Sequence, residues 1–354
     1  MANRDKLELI VRAIKDDDLD SLVELFRQVN SGRTPFKADR RALSKRLEIV
    51  RASFAEQIPP VQCDYLFVME DSRSGRLAGV CDIKGAVGLE EPCYSYRVGT
   101  LVHSSRELKV YTRMETLSLS NDLTGSTALC SLLLHPDYRG GTQLLSQSRF
   151  LFVAQFSHLF SERLIAEMRG YQRMDGSSPF YDALGRHFFK MEFKEADAVT
   201  GFGRKSFIAE LMPRQPMYTA YFPAEAQAVI GKVRVGNAPA RRALEQEGMY
   251  FEGYIDIFDA GPVLQARVSN LRAARDSLSA VVGPGKTDAA ALEIECEPML
   301  VSNTVLKDFR LIVAKAQPNR GLIALSDEEK RVLGCHAGQT VRTLSMNPRK
   351  NAHV

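Results

Sequence analysis

The order of strand-like and helix-like segments constrains this chain more than any single motif. Residues 65–70 and 77–83 are short apolar runs suited to strands, and the Asp71-Ser-Arg-Ser-Gly75 turn between them closes an antiparallel hairpin. Residues 94–103 and 110–119 form a second strand pair. Only then does one parallel-type passage follow: a run at 129–134, a glycine turn, a helix from Gln143 and a strand at 164–169. Residues 7–14 read as a first strand. Asp16-Asp-Asp18 caps a helix through Leu19, Leu22, Val23, Leu25 and Phe26, and a second helix spans 38–54. Consecutive antiparallel strands ahead of a single β-α-β passage argue against a doubly wound parallel fold. They predict an α+β protein with a mixed, mostly antiparallel sheet flanked by helices.

Further along, helices are expected at 180–189, 224–230, 238–247 and 271–280. A strand is expected at 254–259, carrying Asp256 and Asp259. Val282-Gly-Pro-Gly-Lys-Thr287 reads as a linker, and runs at 299–301, 309–314, 322–325 and 340–344 as a small C-terminal β unit. The expected division is therefore 1–285, with a core of 1–195 and an extension of 196–285, followed by 286–354.

A formal net charge of +4 is too small an excess to imply nucleic acid. The basic cluster Arg33, Lys37, Arg40, Arg41, Lys45, Arg46 and Arg51 is interleaved with Ala42, Leu43, Leu47 and Ile49, as on the solvated side of a surface helix. No run approaches the ~20 apolar residues of a membrane span. The N-terminal residues are followed by charges rather than a signal-peptide core. The six cysteines are scattered, four of them in apolar or strand-like contexts, with no spacing that suggests a disulfide framework or zinc site. The expectation is a cytoplasmic protein acting on small molecules, with no metal and no nucleic-acid or membrane partner.

The parallel passage carries the chemistry. His135-Pro-Asp137 breaks the run 129–134, Arg139-Gly-Gly-Thr142 follows, and a helix opens with Leu144, Leu145, Leu151, Phe152 and Phe156 near one face. Such a turn holds a phosphate when glycines admit close approach and helix-start N–H groups point outward; otherwise it is an ordinary turn. The element order resembles the acyl-CoA N-acyltransferase superfamily. There a helix-start turn holds the CoA pyrophosphate and the preceding strand pairs with the pantetheine arm. The superfamily turn usually reads Gln/Arg-x-x-Gly-x-Gly/Ala; here the arginine and glycines stand at a different spacing.

Six co-linear blocks carry a more specific resemblance. They are Tyr96-Arg-Val-Gly-Thr-Leu-Val-His-Ser-Ser105, Leu119-Ser-Asn-Asp-Leu-Thr-Gly125, Ala166-Glu-Met-Arg-Gly170, Ser178-Pro-Phe180, Phe207-Ile-Ala-Glu-Leu-Met-Pro213 and Tyr254-Ile-Asp-Ile-Phe-Asp-Ala-Gly-Pro262. In this order they resemble the arginine N-succinyltransferase family, over nearly the whole chain to Cys335-His-Ala-Gly338. The resemblance implies succinyl transfer from succinyl-CoA to the α-amino group of arginine, the opening step of a bacterial arginine-degradation route. It implies no permanently bound cofactor, succinyl-CoA as co-substrate, and a homo- or hetero-oligomer. By the same resemblance Leu132 matches a position that contacts succinyl-CoA. Leu132, Leu133 and Leu134 are then expected on the pantetheine arm, and Arg139, Gly140, Gly141 and Thr142 on the pyrophosphate.

One departure stands out. The family's proposed proton donor is a histidine in a segment reading Ile-Gly-Gln-Val-His-Pro; here the stretch is Ile230-Gly-Lys-Val-Arg-Val235, with Arg234 in its place. Arginine is a poor acid–base catalyst near neutral pH but holds a carboxylate in a bidentate pair. Three readings stay open: the histidine is dispensable, another group has its role, or the acceptor or acyl group differs.

Acyl transfer to an amine needs a base for the ammonium, an oxyanion donor and a proton for the leaving thiolate, but no metal and no covalent intermediate. A backbone N–H near Leu132 suits the oxyanion. Glu167 is a candidate base if burial in the sheet raises its pKa; otherwise it pairs with Arg97 or Arg169. His103 is a second candidate, or a structural hydrogen-bonding group. For a cationic acceptor, Asn121, Asp122 and Glu91, with Glu90 beside it, are the expected contacts. Asp122 alternatively caps the turn at Thr124-Gly125. Rival functions are N-acylation with another amine or acyl-CoA, and a non-catalytic subunit that partners an active paralogue, favoured by the lost histidine.

Overall fold

The first strand, β1 (Leu9–Ala13), hides Val11 completely and has partners on both sides, which makes it a central strand. It belongs to a computed structural model that describes residues 9–29, 39–90, 92–200, 206–284 and 297–347. Among these, the chain continues through α1 (Leu19–Val29), α2 (Arg40–Phe54), β2 (Asp64–Asp71), β3 (Leu77–Lys84), β4 (Ser95–Ser105), β5 (Val110–Ser120), β6 (Thr127–Leu134), α3 (Thr142–Gln155) and β7 (Arg163–Glu167). Next come α4 (Pro179–Ala183), α5 (Gly185–Phe189), α6 (Phe193–Thr200), α7 (Ser206–Leu211), β8 (Met217–Tyr218), α8 (Ala224–Val229), α9 (Ala238–Gln246), β9 (Tyr250–Ile255) and β10 (Pro262–Arg267). The last elements are α10 (Arg272–Asp276), β11 (Leu278–Val282), β12 (Met299–Asn303), β13 (Arg310–Ala314), β14 (Leu322–Ile323), α11 (Asp327–Leu333) and β15 (Thr340–Ser345). No helix among the described residues is long and apolar enough to cross a membrane.

Contacts divide the chain into two units: residues 1–85, 129–160 and 267–354 form the first, and 86–128 and 161–266 the second. In the first, the strand order is β14-β11-β15-β12-β13-β1-β2-β3, with residues 129–134 of β6 beyond β3. Val11 lies opposite Met69 on one side and Leu311 on the other, both antiparallel. The division expected at 285/286 is therefore corrected, because the C-terminal strands complete the sheet that β1 begins. The core is aromatic: Phe152 of α3 packs 4.8 Å from Phe67 and 4.9 Å from Phe309 between ring centroids, with Phe54 and Tyr65 alongside. Each ring withdrawn from water contributes roughly 1.5–3 kcal/mol.

Three further expectations change in this unit. α3 is not buried along one face only: residues 144–154 are all buried, because α3 contacts β3, β12 and β15 as well as α10. The helix expected at 271–280 stops at Asp276, and the alternating Leu278–Val282 becomes β11, paired antiparallel with β15 and parallel with β14. Arg46 is not on a solvated face; it bonds both carboxylate oxygens of Asp64, at 2.7 and 2.9 Å, and also Asp82. Burial opposes its charge, yet the two carboxylates hold its pKa above the ordinary guanidinium value. The reading of Arg33 and Lys37 lies outside the described residues.

In the second unit the start of β6 runs parallel to β7, in register Thr127↔Leu164 and Ala128↔Ile165; β10, β9, β4, β5 and β8 follow in that order. β4 and β5 pair along their whole length, from Ser95↔Ser120 to Ser105↔Val110. Alternation along the strands gives the sheet two different faces. Tyr96, Leu117 and Ile255 join a core with Phe180, Tyr181, Phe189 and Phe258, whereas Ile165, Tyr254 and Val263 belong to a smaller cluster with Leu123 and Ala128. The helix expected at 180–189 breaks at Leu184 (φ −127°, ψ −68°), where Gly185 lies so close to Tyr181 that a Cβ would come within 2.5 Å of the ring. The strand expected at 254–259 ends at Ile255. Asp256 then takes the N–H groups of Phe258 and Asp259 at 2.8 and 2.9 Å and turns the chain.

Candidate functional site

The first unit contains the strand, turn and helix of the expected phosphate site. His135 caps a single turn at Pro136–Gly141, its Nδ1 accepting from the Asp137 N–H at 3.3 Å. Arg76 lies 3.0 Å from His135 Nε2, and the Tyr138 hydroxyl donates to Asp71 at 2.9 Å, so the β2–β3 turn fixes this segment. Leu132, Leu133 and Leu134 are half-buried, and Arg139, Gly140 and Thr142 are exposed. The two glycines differ. A Cβ at Gly140 would meet nothing within 4 Å, whereas one at Gly141 would lie 2.6 Å from the Met69 methyl group, so Gly141 is a packing glycine. No side chain caps α3 at Gly141, and no acidic residue stands in its first turn. The start of a helix this long, without a carboxylate of its own, favours an external anion. Upstream, the Ser131 N–H donates to Asp82 at 2.5 Å, which anchors β6 to the buried Arg46 cluster.

The remaining candidates lie in the second unit. Glu167 ends β7 and is exposed, not buried in the sheet as expected. The Cys93 thiol donates to it at 3.9 Å, and the arginines offered as partners go elsewhere, Arg97 to Asp122 and Arg169 to Asp197. Arg234 is half-buried, and its N–H donates to the Arg169 carbonyl at 2.9 Å; Val233 bridges Gly170. The stretch that replaces the histidine segment is therefore pinned beside the chain leaving β7. No carboxylate pairs with the Arg234 guanidinium among the described residues. Gly170 and Gly261 lock this junction, because a Cβ on either would come within 2.2 Å of a backbone oxygen.

His103 is exposed on β4 and sits 3.1 Å from the Tyr218 hydroxyl, the structural alternative. It lies six residues, about 20 Å of strand, beyond Arg97. Asn121 is exposed and closes its turn through its carbonyl, which accepts the Thr124 N–H at 3.0 Å. Glu91 lies outside the described residues. Asp122 does not cap that turn. Its carboxylate accepts from the Tyr254 hydroxyl at 2.6 Å and from Ser120, with Arg97 at 3.9 Å. Partial burial opposes its charge, but the bonds from Ser120 and Tyr254 and the Arg97 charge outweigh it and hold the carboxyl below its ordinary pKa.

Asp122, Arg97, Arg163, Glu252, Tyr254 and Gln265 together line a pocket of about 490 Å³. Arg97 stacks over the Tyr254 ring at 5.5 Å, and Arg163 donates to the Asp122 carbonyl at 3.1 Å. The sequence reading missed Glu252, Tyr254, Arg163 and Gln265. The signal available was a glutamine within the otherwise apolar run Pro262-Val-Leu-Gln-Ala266. Among the described residues no group of His, Cys, Asp and Glu is arranged to hold a metal ion.

Fold and site together define a class: an α+β protein with a mixed, mostly antiparallel sheet, one strand–turn–helix unit opening on an uncapped helix start, and a polar pocket of mixed charge. Within that class the comparisons are specific. Residues 9–273 match the family described as Arginine N-succinyltransferase beta subunit, and the chain belongs to the arginine N-succinyltransferase family. It is 43% identical to the Arginine N-succinyltransferase subunit beta of Pseudomonas aeruginosa, over 97% of this chain and 99% of the relative. It is 44% identical to the Arginine N-succinyltransferase of Citrobacter koseri, over 96% and 98%. Among solved structures it is similar to the arginine/ornithine succinyltransferase subunit AI from Pseudomonas aeruginosa, with a TM-score of 0.84 and 33% identity over 97% of this chain and 100% of that one.

Proposed function

We propose that this chain transfers the succinyl group of succinyl-CoA to the α-amino group of arginine, in the cytoplasm and as part of an oligomer. The observation that carries this reading is the similarity along nearly the whole chain to proteins named arginine N-succinyltransferase. The geometry of the first unit supports the donor half. Leu132 to Leu134 receive the pantetheine arm, and Arg139, Gly140 and Thr142, at the uncapped start of α3, receive the pyrophosphate. A β6 backbone N–H near Leu132 stabilises the thioester oxyanion.

The amine nitrogen attacks the thioester carbonyl directly, and the C–S bond breaks as the amide forms. Glu167 is the base we assign for the ammonium proton, since it is exposed and forms no ion pair among the described residues. Arg234 cannot supply the proton that a histidine would; its guanidinium, without a carboxylate partner among the described residues, suits a substrate carboxylate, that of the succinyl group or that of the acceptor. The test is turnover of succinyl-CoA with arginine, ornithine and lysine, followed by thiol release and by the mass of the product. Succinylarginine formation is expected, and no thiol release above background with any of the three would remove the proposal.

Arg234 itself favours a second reading, that of a subunit whose activity resides in a partner. Activity that appears only after Arg234→His would establish that reading instead.

A further inference from the structure

The lining of the pocket in the second unit has a chemistry of its own. Gln265 is 3% exposed, and its Nε2 has no hydrogen-bond partner among the described residues. A buried amide N–H left unmade is costly and calls for an acceptor from outside the chain. Arg163 uses one donor on the Asp122 carbonyl, and Arg97 stands 3.9 Å from the Asp122 carboxylate, so both keep donors for a ligand. Glu252 is exposed and has no partner among the described residues. Asp122 is oriented by Tyr254 and Ser120 and held ionised by them. Two cations and two anions therefore face one space. A purely anionic ligand would meet Asp122 and Glu252, and a purely cationic one would meet Arg97 and Arg163. Only a ligand with both signs of charge satisfies the set.

We propose that this pocket binds a free amino acid with a cationic side chain: its carboxylate on Gln265 Nε2, Arg163 and Arg97, and its side-chain cation on Glu252 and Asp122. It rests on the proposed function for the identity of that amino acid, arginine, and extends it by naming where the acceptor is held.

The test is calorimetric titration of the full chain with L-arginine and with agmatine, which lacks the carboxylate. Wild type is expected to bind arginine at least tenfold more tightly than agmatine. Arg163→Met and Gln265→Met should lose that preference while binding agmatine as before, and the exposed Glu252→Gln should weaken both ligands about tenfold without a change in melting temperature. In turnover, Glu252→Gln should raise KM for arginine and leave KM for succinyl-CoA unchanged. Equal binding of arginine and agmatine, undetectable arginine binding, or folded variants that bind as wild type does would overturn the proposal. Absence of turnover with these binding effects intact would remove the reaction and leave the pocket standing.

Discussion

Asp259, 2% exposed, accepts the N–H groups of Gly170 and Gly261 at 2.8 and 2.9 Å and so joins the end of β7 to the turn after β9. Burial first and the neighbouring Asp256 charge second push its carboxyl up to about 8, against the pull of those two N–H groups. A folded-state pKa above the unfolded value, about 3.9, means that the native state binds the proton more tightly. Its stabilising contribution is then full below about pH 4 and is lost as pH rises through about 8. Denaturation midpoints measured from about pH 5 to 8 should fall in wild type relative to Asp259→Asn, whose amide does not titrate. Parallel profiles would sink this assignment. The sequence offered Asp256 and Asp259 but placed them on a strand, because Ile255-Asp-Ile-Phe258 mixes apolar and acidic residues as a half-buried strand does. What turns the chain is a side chain taking two backbone N–H groups, which no hydropathy pattern records. The expected burial of Glu167 differs for a related reason: a position in a sheet was read as buried, whereas the end of a strand is open.

The strand–turn–helix element was legible because every signal in it is local: an apolar run, Pro136, two glycines and the helical spacing after them. Its burial was not, because α10, which packs on α3, lies more than a hundred residues further along the chain. The same distance hid β11, whose Leu278–Val282 finds its strand partners among the described residues at 322–323 and 340–343. The uncapped start of α3 leads to an expectation at this scale. Thr142→Glu places a carboxylate in the first turn, where the helix dipole favours it by about 0.3–1 kcal/mol, so the melting temperature should hold or rise slightly. The same carboxylate would repel a pyrophosphate, and KM for succinyl-CoA should rise at least tenfold. An unchanged KM would show that the phosphates bind elsewhere.

At the scale of the whole chain, the turn proposed for the CoA phosphates and the pocket proposed for the acceptor fall in different units. All six sequence blocks that resemble the arginine N-succinyltransferase family fall in the second unit, as does the mixed-charge pocket; the donor turn at 135–142 falls in the first. The turn was legible in the sequence and Asp122 was singled out, but the rest of the pocket and the division into units were not, because the first unit gathers three separate stretches of sequence and closes through pairs such as Val11↔Leu311. The donor turn and the acceptor pocket share no hydrogen-bonding residue among those described. Changes in the two should therefore act on different substrates and combine independently, within about 0.3–0.5 kcal/mol. Thr142→Glu should raise KM for succinyl-CoA alone, Glu252→Gln KM for arginine alone, and the double variant should show both increases at their single-variant sizes. Steady-state kinetics with each substrate varied at saturation of the other reads this directly. If either single change moved the other substrate's KM, or the double variant departed from the product of the two effects, the separate assignment of donor and acceptor residues would be wrong.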